Sequence, residues 1–288
     1  MTDWLDLSRR AGVASHRLVG WIYWDPVAIE HYTALGPDAF GYYVATRGAP
    51  LAGAGNDAVI AAFYSINADF IAMSLDNCRA ATTFEAAAAA RDAGVVAGLR
   101  QYVPEICDGL AELAEPLWAA ADSLPVSGRV FFATVRNWPR PDDPLLSAWH
   151  AVDCIREWRG DTHWAIHLAE DVGQVACGIL DGAWRNYDDD WLPRSRGADD
   201  EALAAGYAEL ERRGLATGGA VDERGIAYRQ GLEDRLDELS AVAWRSLGER
   251  RTQEFLDLVE PFGERLIARI DETAGPNWMP AGRERRVR

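Results

Sequence analysis

Residues 163–183 read HWAIHLAEDVGQVACGILDGA, and residues 199–225 read DDEALAAGYAELERRGLATGGAVDERG. In the first stretch, Ile166, Leu168, Val172, Val175 and Ile179 fall where two helices meeting at a tight turn need apolar groups. Ala169 suits the close approach of those helices, and Gly173, four residues later, suits a left-handed turn. In the second stretch, Asp199 and Asp200 open an amphipathic helix carrying Leu203, Tyr207 and Leu210. Leu215-Ala216-Thr217, Gly218-Gly219 and Ala220-Val221 then spell strand, glycine turn and strand. Asp222 caps a further helix that begins at Glu223-Arg224-Gly225.

Outward from this centre the pattern is helical. Two long C-terminal helices are expected at 224–247 and 249–273, and the closing Arg-Glu-Arg-Arg-Val-Arg is expected as a solvated tail. Upstream, Pro26 opens a short helix through Val27, Ile29 and Tyr32. Residues 41–55, with Pro50 and glycines at 48, 53 and 55, are expected as a turn-rich link, after which Asn56 caps a helix through Phe63. Helices are expected at 83–102 and 105–121. Arg129 to Val135 is too short for periodicity to decide between strand and helix. A further helix at 145–158 is expected to end near Gly160 and restart after Asp161. The proline and glycine punctuation from Pro125 to Pro144 suggests three units: a helical N-terminal domain 1–140, a helix-turn-helix domain 141–275 and a tail 276–288.

The segment ERRGLAT…AVDERGIAYRQGLEDRLDEL (211–217 and 220–239) resembles the end of a winged helix of the MarR type, with Asp222 where a threonine is usual. A broader resemblance, to a largely uncharacterised actinobacterial family of winged-helix proteins, rests on Arg47-Gly48-Ala49-Pro50-Leu51, Phe63-Tyr64-Ser65-Ile66, Arg194-Ser195-Arg196-Gly197 and Ala243-Trp244-Arg245-Ser246-Leu247-Gly248. It rests also on REWRGDTH at 156–163, which is similar to a family pattern REHRGDGH, with Trp158 and Thr162 as departures. The resemblance implies a mostly α fold: a helical N-terminal half, then a winged helix-turn-helix with a small β-hairpin wing and long C-terminal helices. It implies little about activity.

Charge separates the function classes. The net charge is −16, and all 29 basic residues are arginine. Residues 163–235 hold eight arginines against fifteen acids. Such a surface repels phosphate backbones and anionic membranes unless arginine is concentrated locally. No apolar run approaches the ~18 residues of a membrane span, and the first residues carry no export signal, so a cytoplasmic location is expected. The scattered cysteines (78, 107, 154 and 177) read as reduced, buried thiols.

The densest polar cluster is Trp149, His150, Asp153, Arg156, Arg159, Asp161, His163 and His167. His163 and His167 lie four apart, but Trp164 stands where H-E-x-x-H needs its glutamate, so the set reads as capping and pairing and no metal or other cofactor is expected. Nucleophile elbow, P-loop and Rossmann fingerprints are absent, and catalytic residues are not assignable. Arg47, held beside Gly48 and Pro50, is suited to a carboxylate or phosphate. Together with Tyr64, Arg156, Arg159, Asp161 and His163 it is expected to form a ligand site between the two halves, lined in part by some of the twelve tryptophans. The favoured reading is therefore a winged-helix protein binding a small organic ligand, with DNA binding disfavoured by charge. The alternatives are a MarR-like ligand-responsive regulator, touching DNA through Arg194, Arg196, Arg212, Arg213 and Arg224, and an enzyme of unknown reaction on the same scaffold. A homodimer is compatible with either.

Overall fold

The computed structural model describes residues 2–188 and 190–286. The chain is mostly α-helical, with one two-stranded antiparallel sheet among the described residues. The N-terminal half runs through α1 (Trp4–Gly20), α2 (Pro26–Thr33), α3 (Tyr42–Gly48), α4 (Asn56–Phe63), α5 (Ala68–Ala81), α6 (Phe84–Tyr102), α7 (Cys107–Glu112), α8 (Ala114–Ser123) and α9 (Val130–Arg136). Next come α10 (Pro144–Ala169), α11 (Gln174–Trp184), α12 (Trp191–Ser195) and α13 (Asp200–Arg212). Strands β1 (Ala216–Thr217) and β2 (Ala220–Val221) precede α14 (Glu223–Leu247) and α15 (Glu249–Thr273).

Side-chain caps set many of these boundaries. Asp3, Asp25, Asn67, Thr83, Asp143, Asp199 and Asp222 each accept backbone N–H bonds at a helix start. Asn56 does not: Gly55 occupies the cap position, and the Asn56 amide donates to Asp76 instead. The expected link 41–55 contains α3, because Tyr42, Val44, Ala45 and Gly48 share a buried face. The expected helix 105–121 breaks at Leu113 into α7 and α8. The short run before Val135 is helix.

The largest difference from expectation lies in α10. The helix does not stop at Gly160 but runs for 26 residues through Gly160 and Asp161. Asp161 caps a different helix, its Oδ2 accepting the Phe132 N–H of α9 at 2.8 Å. One rod therefore joins the two halves. Residue 140 lies in the loop before it, and the main apolar core draws on both sides of that loop, from Leu7 and Trp21 through Trp149 to Trp244 and Ile270. A second, smaller core holds Val172, Ala176, Ile179, Leu180, Leu203, Leu210 and Leu215.

That second core packs the stretch read from the sequence as a helix-turn-helix, with its turn built differently from expectation. Gly173 has φ −63°, and the left-handed residue is Asp171 at φ 52°. What Gly173 supplies is room. Its N–H donates to Glu209 Oε1 at 3.0 Å, and a Cβ there would sit 2.4 Å from Glu209 Oε2. The hairpin pairs Ala216 with Val221 and Thr217 with Ala220, across Gly218 and Gly219 in left-handed geometry.

The C-terminal residues are not a solvated tail as far as Arg286. Arg285 donates to the Trp184 carbonyl at 2.7 Å and lies over the Trp184 ring, while Arg286 covers Tyr187. Guanidinium stacking on these ring faces holds the segment down. Val287 and Arg288 lie outside the described residues.

Candidate functional site

A cavity of about 510 Å³ opens where α1, α10, α11, α14 and the C-terminal segment converge. Each helix contributes one face, at helical spacing. Arg9, Gly12, Val13 and His16 come from α1; Arg156, Arg159, Gly160, His163 and Trp164 come from α10; Arg229, Gln230, Glu233 and Asp237 come from α14. From the N-terminal half come Tyr23, Trp24, Tyr43 and Arg47, and Met279 to Arg285 close the far side. Small residues make the approach possible. A Cβ on Gly20 would lie 2.1 Å from Met279 Sδ, and one on Gly12 would lie 3.1 Å from Arg159 Nε.

Nine arginines line this cavity against three carboxylates. Most belong to two alternating chains. In the first, Arg185 and Arg229 hold Asp181, Arg229 and Arg159 hold Glu233, and Arg159 and Arg9 hold Asp237, with closest contacts of 2.7–3.1 Å. In the second, Arg47 grips Glu157 with two bonds of 2.7 Å, and Arg156 reaches both Glu157 and Asp153. Arg196 and Arg285 have no carboxylate partner among the described residues. Cationic groups thus exceed acidic ones in the wall of a chain whose net charge is −16.

Burial opposes charge on these acids, but the guanidinium groups outweigh it. Arg185 and Arg229 hold Asp181 far below the usual carboxylate range, and Arg159 and Arg229 do the same for Glu233. Burial, reinforced by Arg156 and Arg159, pushes His16 down to about 3, so its ring is neutral. Its Nδ1 faces the Gly12 carbonyl at 2.9 Å, an acceptor only, so the hydrogen sits on Nδ1 and Nε2 offers a lone pair. Three buried polar atoms of lining residues find no partner among the described residues: Tyr23 Oη, Arg159 Nε and Arg229 Nη1. Such groups are rare in a folded protein, and here they lie on residues that line the cavity.

Of the residues expected to bind a ligand, Arg47, Arg156, Arg159 and His163 line the cavity, and Arg47 and Arg156 meet at Glu157. Two do not. Asp161 is spent on the α9 N-terminus, beside Arg129. Tyr64 stacks on Trp164 at 5.0 Å and donates to the Val172 carbonyl at 2.6 Å, tying the N-terminal half to the turn before α11. Sequence reasoning missed α1, α14 and the C-terminal segment as walls. The i, i+3/i+4 spacing of Arg9, Gly12, Val13 and His16 marks one helical face but not what that face meets.

The arginines considered for DNA are dispersed. Arg196 lines the cavity. Arg213 is turned inward, donating to the Asp171 and Glu170 carbonyls. Arg194 is exposed but paired with Asp200 at 2.7 Å. Arg212 and Arg224 are exposed. Glu209 and Glu211, which the sequence suggested would face phosphates, instead accept the Gly173 and Gly219 N–H groups.

No helix among the described residues is long and apolar enough to cross a membrane. Comparison with curated proteins and with solved structures finds no match. A family model described as "Helix-turn-helix family" matches residues 8–273, from α1 to the end of α15. With nearly the whole fold inside that match, the chain belongs to this helix-turn-helix family.

Proposed function

We propose that the chain binds a small organic anion carrying a flat apolar portion in the 510 Å³ cavity, whose wall is shared with α10 and α11 of the helix-turn-helix. The observation that carries this reading is the excess of guanidinium groups, nine arginines against three carboxylates, in the wall of one space. Trp24, Tyr43, Trp164 and Trp184 supply ring faces in the same wall. The volume suits a ligand of drug-like size. Arginine forks suit carboxylate or phosphate oxygens.

The test uses aromatic carboxylates, benzoate and naphthoate, titrated against tryptophan fluorescence, with inorganic phosphate as the non-aromatic control. Arg196→Gln removes a cation that holds no carboxylate among the described residues. Loss of one charge-assisted hydrogen bond weakens binding by about 10- to 100-fold. No saturable quenching up to millimolar concentrations overturns the reading.

A second reading follows from family membership, which points to a DNA-binding type of protein. In it, β1–β2 serves as the wing, α13 as the recognition helix, and Arg212 and Arg224 as phosphate contacts, in the manner of a MarR-like regulator. The acidic start of α13, Asp199-Asp200-Glu201, disfavours tight binding. Fluorescence anisotropy with duplex DNA separates the readings. Weak affinity that Arg212→Ala with Arg224→Ala abolishes fits the cavity reading, whereas nanomolar affinity at physiological salt favours the regulator.

A further inference from the structure

The turn after α10 brings together three residues that the sequence leaves apart. His163 and His167 lie one helical turn apart, with ring centroids 4.2 Å from each other. Cys177, on α11, completes a set whose candidate ligand atoms all lie within 4.8 Å of one another. We propose that His163, His167 and Cys177 form a site for one soft metal ion, copper(I) by preference, in the wall between α10 and α11.

The state of His167 is the first support. Its Nδ1 lies 2.8 Å from the His163 carbonyl, which can only accept, so Nδ1 carries the hydrogen. Nε2 is then a bare lone pair, fully buried, without a hydrogen-bond partner among the described residues. A backbone carbonyl that fixes the tautomer and aims the free nitrogen is the usual arrangement behind a metal-bound histidine.

The donor set selects the ion. Two imidazoles and one thiolate favour soft or borderline metals over magnesium or calcium. Ligand atoms around a tetrahedral ion lie about 3.5 Å apart, so side-chain adjustments of about 1 Å close the site. Burial pushes the Cys177 thiol up to about 11, so binding must displace its proton: the S–H bond breaks, a sulfur–metal bond forms, and one proton leaves to solvent. Around the cluster Arg196 and Arg229 oppose Asp181 and Glu233, leaving little net charge to offset a cation. A thiolate with copper(I) adds none, whereas a thiolate with zinc(II) leaves one positive charge buried. This inference does not depend on the anion reading, and it reverses the expectation from the sequence. There the carboxylate of Glu170 or Asp171 is the third group within reach of the histidine pair, and Cys177, ten residues on and beyond a turn, does not enter.

The full-length reduced chain, titrated anaerobically with copper(I) against a competing colorimetric chelator, is expected to take up one ion and release one proton per chain at pH 7. X-ray absorption of that adduct is expected to show one sulfur and two nitrogen neighbours. Cys177→Ser should weaken binding at least 100-fold. His163→Gln, at a partly exposed position, should weaken it at least tenfold while leaving the helical circular dichroism unchanged. Absence of stoichiometric uptake, a coordination shell without sulfur, or indifference to His163→Gln overturns the site. Tighter binding of zinc(II) than of copper(I) through the same three residues overturns the choice of ion.

Discussion

Replacing Glu157 by glutamine tests the electrostatic frame of the cavity. Glu157 is 1% exposed and bridges Arg47 of α3 to Arg156 of α10. Burial opposes its charge, but Arg156 and Arg47 hold its carboxyl at about 2, against an ordinary 4.5. That difference corresponds to about 3 kcal/mol of stability at pH 7. Breaking a buried ion pair by removing one partner costs ~3–5 kcal/mol, a figure of the same order. Because the folded pKa is depressed, the contribution is complete above pH 4.5 and is lost as pH falls toward 2. At pH 3.5 about 2 kcal/mol should remain. Urea unfolding of both proteins at pH 7 and pH 3.5 measures the difference. A cost below about 1 kcal/mol at pH 7, or one that does not shrink on acidification, refutes the assignment of Glu157 as the charged bridge.

Asp161 has the opposite sign. Burial pushes its carboxyl up to about 6, above the unfolded 3.8, so ionising it costs stability as pH rises through that window. Asp161→Asn keeps an acceptor for the Phe132 N–H and should stabilise the chain by up to about 3 kcal/mol at pH 8, with no gain below pH 4, in the same urea assay. Gly225→Ala should be costly, because the new Cβ would lie 2.2 Å from the Leu215 carbonyl oxygen and 2.5 Å from Val221 Cγ1. A loss of about 1–3 kcal/mol in unfolding free energy is expected, and a neutral result would mean that β1 and the start of α14 are not packed as described.

Local chemistry made much of the architecture legible. Asp199 and Asp222 act as the caps their positions suggest, Gly218-Gly219 forms the hairpin turn, and the two last helices begin and end within a residue of expectation. What failed depended on tertiary partners. Gly160 and Asp161 look like a helix stop, and only packing against α9 shows why the helix continues. Arg196 looks like a surface cation until α12 turns it toward Asp181. The C-terminal arginines look solvated until Trp184 and Tyr187 offer them ring faces. Part of the candidate site, Arg47 with Arg156, Arg159 and His163, was visible as chemical density along the chain. The walls from α1 and α14 were not, since nothing local says which side of a long amphipathic helix meets a cavity.

The continuity of α10 makes one wall of the cavity a ruler. Arg156 and His163 stand seven residues apart on a single uninterrupted rod, which sets their backbone separation at about 10.5 Å. Neither can move toward the other without breaking helical hydrogen bonds, so the graduations on this side are rigid. Arg283 and Arg285 reach the same space as long guanidinium arms from chain without regular helix, each anchored by a hydrogen bond to a backbone carbonyl, of Trp278 and Trp184. An occupant of the proposed site would be measured against the rod in steps of one helical turn, about 5.4 Å. Homologues that tolerate cargo of different length should differ in the arms and keep the rod.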